Sequence, residues 1–244
     1  MTAHASSLTP LLWKEVRALA PTFAAALAAV LIGGASNDNG LVATGLLGFA
    51  IGSISLGAQS MGHEFHNRTV GLLLAQPLPR ARLYLVKLFV LALMIAALTT
   101  ITLPLYSERL LRAASRDTQP AMLLMVATCG LFLAPFLTVL CRSTLAAVVF
   151  TVAIPGLLAT GADLVGVWVH GAHNAAAVDH FKEDVFWRGM FAICGLAAIA
   201  GWWTFARLEV IEPRETRPRL ARALEVLRTK VQVNPPKKHG LSPS

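Results

Sequence analysis

Long apolar stretches alternate with short polar ones along almost the whole chain. A helix needs roughly 20 mostly apolar residues to cross about 30 Å of hydrocarbon, and six windows reach or approach that length. The six windows are 18–35, 41–61, 85–106, 121–140, 145–169 and 185–206. Only residues 36–40 separate the first window from the second, and only 141–144 separate the fourth from the fifth. The pattern predicts an all-α, polytopic integral membrane protein with six transmembrane helices.

Composition supports this assignment and excludes an ordinary soluble domain. Of the 244 residues, 55% are hydrophobic and only 14% are charged, whereas an average soluble domain is about 25% charged. The formal net charge is +8. Attraction of basic residues to anionic lipid headgroups explains that charge, and no RNA-binding motif accompanies it. We therefore expect the lipid membrane, and not a nucleic acid, as the charged partner.

The distribution of basic residues predicts the orientation of the spans. Six spans place both termini on one side, where sixteen Lys and Arg residues fall, nine of them after residue 206. Five lie on the other side. Because cytoplasmic loops carry the excess of basic residues, we expect a multi-pass protein of the inner cell membrane with both termini cytoplasmic.

The chain divides by composition into residues 1–17, 18–206 and 207–244. In the first region, apolar residues recur at helical spacing, which is typical of an amphipathic helix in the membrane interface; a helical extension of the first span is the alternative. These apolar residues are Leu8, Leu11, Leu12, Val16 and Leu19, whereas Lys14, Glu15 and Arg17 are expected to point elsewhere. The last region is a basic tail, predicted to be cytoplasmic.

Small residues recur at helical spacing along the second window. Gly48 and Gly52 are four residues apart, and Ser53 and Gly57 repeat the spacing. Such positions let helix backbones approach closely within a membrane. Gly48, Gly52 and Gly57 are therefore candidates for a dimer interface or a transport pathway, with packing inside one subunit as the alternative.

The polar segment after this window begins with His63-Glu64-Phe65-His66, one residue short of the His-Glu-x-x-His zinc motif. A zinc protease needs a third ligand and a glutamate aimed at the metal-bound water. The other histidines lie in the terminal tails or on the predicted opposite side of the membrane. We therefore predict no metal site here.

The whole segment between the second and third windows also carries a longer pattern of polar, leucine and proline residues. Along it lie Glu64, Arg68, Thr69, Leu72, Leu73, Leu74, Gln76, Pro77, Arg80, Tyr84 and Lys87. This order resembles the first cytoplasmic loop of ABC-2-type transporter permeases, in which a Glu ends span two and a Lys opens span three. Gly71 departs from the pattern, because the family often has an acidic residue there.

The resemblance implies a coupling helix within about residues 62–84 that docks on a separate ABC ATPase subunit. The ATPase-coupling residues that it implies are Glu64, Arg68, Thr69, Leu73, Pro77 and Arg80. The spacing of Glu64 and Arg68 supports a helix, and Pro77 would end it. An inside loop whose Arg residues only fix topology is the alternative.

The chain has no GxxxxGK[ST] phosphate-binding loop, so no motif in it identifies the motor. The resemblance implies two copies of a partner ATPase that carry ATP and Mg, and no cofactor in this chain. It also implies a second permease subunit, identical or paralogous.

Two further sets of residues carry candidate chemistry. Asp163 is a possible pathway charge, because ionisable residues at membrane depth are costly and often functional; a re-entrant turn between Gly161 and Gly166 is the interpretation we favour. Cys129, Cys141 and Cys194 lack CxxC pairing and are predicted to be small apolar packing residues.

Together these features favour the permease subunit of an ATP-driven ABC exporter, which is not itself an enzyme. A membrane-embedded hydrolase and an accessory anchor that recruits a soluble partner are the alternatives. A hydrolase would need a nucleophile or metal set at matching depth, and the sequence has no Gly-x-Ser-x-Gly motif or paired membrane aspartates.

Overall fold

The computed structural model describes residues 8–36, 38–66, 80–113, 118–171 and 175–207. Every regular element within these ranges is helical. The elements are α1 (Leu8–Ala35), α2 (Asn39–His66), α3 (Arg80–Ala113), α4 (Thr118–Thr128), a π-helical turn (Cys129–Leu133), α5 (Ala134–Cys141), α6 (Thr144–His170) and α7 (Ala175–Ala206). Six helical spans, counting α4, the π turn and α5 as one, are long and apolar enough to cross a membrane. The predicted all-α class is confirmed, and six helical segments have the length and apolarity predicted for spans.

Local chemistry sets the helix boundaries. The side chain of Asp38 accepts a hydrogen bond from the N–H of Gly40 at 3.0 Å, as helix-capping residues do. Arg142 ends α5 in the left-handed region at φ 51°, and Ser143 then caps α6 by accepting from the N–H of Ala146 at 3.4 Å. Two residues therefore suffice to join α5 to α6.

Glycines bring α1 and α2 into close contact. A Cβ atom added at Gly48 would lie 2.5 Å from the Cβ of Ala29, and one added at Gly52 would lie 2.3 Å from that of Ala26. The buried Tyr106 of α3 closes the same region by donating its hydroxyl to the carbonyl of Val30 at 2.8 Å. Backbone-to-backbone packing of this kind replaces the hydrophobic drive that lipid cannot supply.

A second close approach joins α2 to the π turn. A Cβ atom at Gly57 would lie 1.9 Å from the carbonyl oxygen of Gly130. The turn closes with an i to i−5 bond, from the N–H of Ala134 to the carbonyl of Cys129. Pro135 follows directly and has no N–H to donate to the previous turn. The widened turn accommodates this missing hydrogen bond, and the backbone of the turn packs directly against α2.

Both described ends of the chain lie at one end of the bundle. There, buried apolar side chains from four spans pack together with the partly buried Leu11 of α1; the buried ones are Met61, Leu83, Tyr84, Val139 and Phe205. We call this the basal end and its opposite the distal end. Since α1 begins and α7 finishes at the basal end, the chain crosses the bundle an even number of times.

Two expectations from the sequence concerned helix continuity. The first span and the segment before it form one continuous helix, α1, with Pro21 inside it, which agrees with the alternative of a helical extension of the first span. The re-entrant turn expected around Asp163 is wrong, because α6 continues as a helix to His170. A helix satisfies its own backbone hydrogen bonds, whereas a turn exposed to hydrocarbon does not, and this requirement outweighs the preference of Gly161 and Gly166 for turns.

The contact between Gly57 and Gly130 generates a prediction about stability. Gly57→Ala should lower the free energy of unfolding by about 1–3 kcal/mol, because the added methyl group overpacks a backbone contact. Gly195→Ala is the matched control, since a Cβ there meets nothing within 4 Å. The measurement is apparent melting temperature in detergent, followed by size-exclusion chromatography. Equal melting of the two variants would contradict the packing described.

Candidate functional site

A buried cluster of charged side chains lies at the basal end of the bundle. The Nζ atom of Lys87 lies 2.7 Å from Oε1 of Glu15 and 3.3 Å from Oε1 of Glu64. The three side chains come from α3, α1 and α2 and are only 2%, 1% and 3% exposed. We call these three residues the Lys87 cluster. It joins three helices through direct charge contacts.

Helical spacing explains how the three charges become buried. Lys87 lies four residues from both Leu83 and Leu91, which are core residues of α3. Glu15 lies four residues before the buried Leu19, and Glu64 lies four residues after the buried Ser60. Residues four apart share a helix face. Each charge therefore occupies a core position on its own helix.

Charge balance makes this burial tolerable. Two carboxylates face the Lys87 ammonium group, and Lys14, which is 51% exposed, brings its Nζ atom to 3.2 Å from Oε1 of Glu64. Lys87 also donates to the backbone carbonyl of Ser60 at 3.4 Å. Two positive and two negative groups therefore neutralise one another. A buried charge with its partner removed is costly, so the members of the cluster depend on one another.

His63 extends the cluster towards the surface. Its Nδ1 atom lies 2.9 Å from the carbonyl oxygen of Gln59, and its Nε2 atom lies 3.3 Å from Oε1 of Glu64. Glu15, His63 and Glu64 each offer a possible metal-ligand atom, all within 4.8 Å of one another. The Lys87 ammonium group already contacts the carboxylates of both Glu15 and Glu64, and it neutralises them as a metal ion would. The geometry favours an ion-pair cluster over a metal centre.

The predicted coupling residues divide into two groups. Glu64 belongs to the Lys87 cluster. Arg80 begins α3, and its side chain lies outside the described residues, as do Arg68, Thr69, Leu73 and Pro77 entirely. The segment that carries them connects two helices, α2 and α3, that the Glu64–Lys87 ion pair joins directly.

Sequence reasoning missed Glu15 as a site residue. We expected Glu15 to point away from the apolar stripe of α1, yet it is almost fully buried. The signal was present in the spacing of Leu11, Glu15 and Leu19, which lie four residues apart on one face. A charge inside such a row faces the core when a partner helix supplies the opposite charge.

The three glycine candidates are used for packing inside one chain. Gly48 and Gly52 face Ala29 and Ala26 of α1, and Gly57 faces Gly130. The alternative of packing within a subunit therefore describes these contacts. Their role in a dimer interface or pathway stays a prediction.

Asp163 lies near the distal end and is paired. Its Oδ1 atom is 3.1 Å from Nζ of Lys182 on α7, and the two side chains are 51% and 40% exposed. Lys182 also lines a cavity of about 260 Å³ together with Met122, Ala159, Asp179, Glu183, Phe186 and Trp187. The contact joins α6 to α7 beside this cavity. A role for Asp163 in a pathway stays a prediction.

Comparisons with protein-family models, with curated proteins and with solved structures found no match to this chain. The resemblance to ABC-2-type permeases therefore depends on the loop residues between Glu64 and Lys87. The Lys87 cluster is the structural observation that bears on those residues most directly.

The mutual dependence of the buried charges yields a second prediction. Lys87→Met should lower the free energy of unfolding by about 3–5 kcal/mol, because it leaves two buried carboxylates without their shared cation. Lys14→Met is the matched control and should cost far less, since Lys14 is half-exposed. Apparent melting temperatures in detergent, compared with the wild type, provide the measurement.

A compensating variant separates charge balance from simple loss of packing. Glu15→Gln, Glu64→Gln and Lys87→Met together remove all three buried charges. This triple variant should recover most of the stability that Lys87→Met loses. A triple variant no more stable than Lys87→Met would show that the two unpaired carboxylates do not cause the loss of stability.

Proposed function

We propose that this chain is the transmembrane permease subunit of an ATP-driven exporter of the ABC-2 type. It works with two copies of a separate ATPase subunit and with a second permease subunit, identical or paralogous. The observation that carries the proposal is the buried ion pair between Glu64 and Lys87. These are the first and last residues of the segment that resembles the permease coupling loop.

The ion pair would allow the coupling segment to transmit motion to the helices of the bundle. A coupling segment transmits motion only if its two ends are fixed to helices that move with it. Glu64 and Lys87 lie on the two helices that flank residues 67–79, and Glu15 adds a third helix at 2.7 Å. A push on the segment therefore acts on α1, α2 and α3 together.

The arrangement of the basal end also supports the proposal. The first described turn of α1, the flanks of the coupling segment and the end of α7 all lie there. We propose that this end faces the cytoplasm, because the side of the two termini carries the excess of Lys and Arg. The ATPase, which needs cytoplasmic ATP and Mg, would then meet the coupling segment on the correct side.

The proposed cycle follows from these contacts. Closure of the two ATPase subunits around ATP pushes the segment between Glu64 and Arg80. The Lys87 cluster passes the displacement to the basal ends of three helices, whose tight glycine contacts make them move as packed bodies. Rearrangement of the spans then moves a substrate outward across the membrane.

Affinity purification of the tagged full-length chain from native membranes tests the proposal. A nucleotide-binding subunit should co-purify with the wild type, and the complex should hydrolyse ATP. Arg68→Glu should reduce co-purification at least tenfold, because it reverses a charge on the predicted docking surface. Arg116→Glu makes the same change in a loop predicted to lie on the opposite side and should have no effect.

Two results would refute the proposal. One is recovery of the tagged chain without any nucleotide-binding partner under conditions in which its own fold is retained. The other is equal recovery of an ATPase with the Arg68→Glu and Arg116→Glu variants, together with equal ATP hydrolysis. That second result would make the loop a simple connection whose basic residues only fix topology.

A further inference from the structure

Two cysteine thiols from distant parts of the sequence meet inside the bundle. Cys129 opens the π turn of the fourth span, and Cys194 lies in α7, 65 residues later. Their Sγ atoms are 4.0 Å apart, and both side chains are buried. Both thiols are free. The proposed transport function makes no use of them.

Each of these cysteines follows a methionine by four residues. Met125 precedes Cys129, and Met190 precedes Cys194. Residues four apart lie on the same face of an α-helix. Cys129, Met190 and Cys194 belong to one buried apolar cluster, and the partly buried Met125 packs against it. The two sulfur-bearing faces therefore meet where the fourth span packs on α7.

A small cavity lies at this meeting point. Its volume is about 10 Å³, and Met125, Met190 and Cys194 contribute to its wall together with Thr128, Trp187 and Phe191. A space of this size holds about one small atom or ion. Three of the six lining side chains carry sulfur, and Cys129, which is not one of the six, places its Sγ atom 4.0 Å from that of Cys194.

We propose that Met125, Cys129, Met190 and Cys194 form a binding site for a soft monovalent metal ion, Cu(I). Thiolate and thioether ligands are the ones that select Cu(I) among biological metals. The site is independent of the proposed transport function, since it uses other helices and lies away from the Lys87 cluster. It requires no ATPase partner.

The separation of the two thiols fits a shared ion. Two sulfur atoms that each lie about 2.3 Å from one metal ion are about 3.8 Å apart at a tetrahedral angle and about 4.6 Å apart in a linear arrangement. The observed 4.0 Å lies between these limits. A disulfide would require the two atoms to approach to about 2.05 Å, which is a much larger displacement.

Ligand type favours Cu(I) over a divalent ion, because two of the four sulfur groups are thioethers, which are soft ligands that select Cu(I). When Cu(I) binds, one Cys thiol loses its proton to solvent and forms a sulfur–copper bond, while the second thiol and the two thioethers bind as neutral ligands. The resulting site has no net charge, which suits a position at membrane depth. A divalent ion would reach the same neutrality only if both thiols lost their protons.

Titration of the purified full-length protein with Cu(I) tests this proposal. The protein is kept reduced in detergent, and bicinchoninate competes for the metal as a coloured indicator. We expect one Cu(I) per wild-type chain, with X-ray absorption showing sulfur ligands. Affinity should fall at least 100-fold in the Cys129→Ser/Cys194→Ser variant and about tenfold in Met125→Leu/Met190→Leu. Cys141→Ser is the matched control and should bind as the wild type does.

Melting temperature and elution volume show whether each variant is folded, and a folded double-cysteine variant that binds Cu(I) like the wild type overturns the proposal. So does a wild-type protein that loses all Cu(I) to bicinchoninate. A third contrary result is a pair that oxidises readily to a disulfide while the reduced form binds no copper. That result would make Cys129 and Cys194 a redox pair.

Discussion

The contact of the Lys87 ammonium group with the carboxylates of Glu15 and Glu64 determines how the basal end of this protein is built. Three helices must bring their charged residues together there, because a single buried charge without partners is costly in a membrane protein. The constraint fixes the rotation of each helix about its own axis. It also fixes how far each helix extends, since Glu15, Glu64 and Lys87 must meet at one depth.

The remaining contacts depend on that arrangement and extend it along the bundle. Once α1, α2 and α3 meet at the cluster, Gly48 and Gly52 bring the backbones of α1 and α2 together, and Gly57 does the same for α2 and the π turn. The distal end differs in character. Its ion pair, Asp163 with Lys182, is about half exposed, and such pairs contribute little to stability. Among the described residues, the most deeply buried ion pairs therefore lie at the end where the proposed coupling segment begins.

Much of the fold could be predicted from sequence because lipid makes span length and apolarity necessary conditions. Length and apolarity identify six windows in the sequence, and six helical segments of the structure correspond to them. Their ends were less predictable: α3 begins at Arg80 and α7 at Ala175, whereas the apolar windows begin several residues later. Charged residues lower the hydropathy of a window, but they do not stop a helix. The turn expected at Asp163 failed for a related reason, because glycine preferences count for less than backbone hydrogen bonding in lipid.

The site was only partly visible before the structure. Glu64 and Lys87 were marked by their order in the loop, whereas Glu15 was assigned to the polar side of its helix. A charge on an amphipathic helix is usually solvated, and only the opposing Lys87, 72 residues later, makes its burial favourable. The meeting of Cys129 with Cys194 was hidden for the same reason. Spacing along one helix identifies a face, but it does not identify which other helix packs on that face.

The most direct test of this account is the ATPase activity of the assembled complex when the Lys87 cluster is made neutral. The triple variant Glu15→Gln, Glu64→Gln and Lys87→Met keeps the coupling segment itself unchanged. We expect the partner ATPase to bind this variant but to hydrolyse ATP more slowly than it does with the wild-type chain, because direct charge contacts no longer join α1 to the two helices that flank the coupling segment. A complex with the wild-type rate of hydrolysis would contradict the claim that the cluster connects the coupling segment to the bundle.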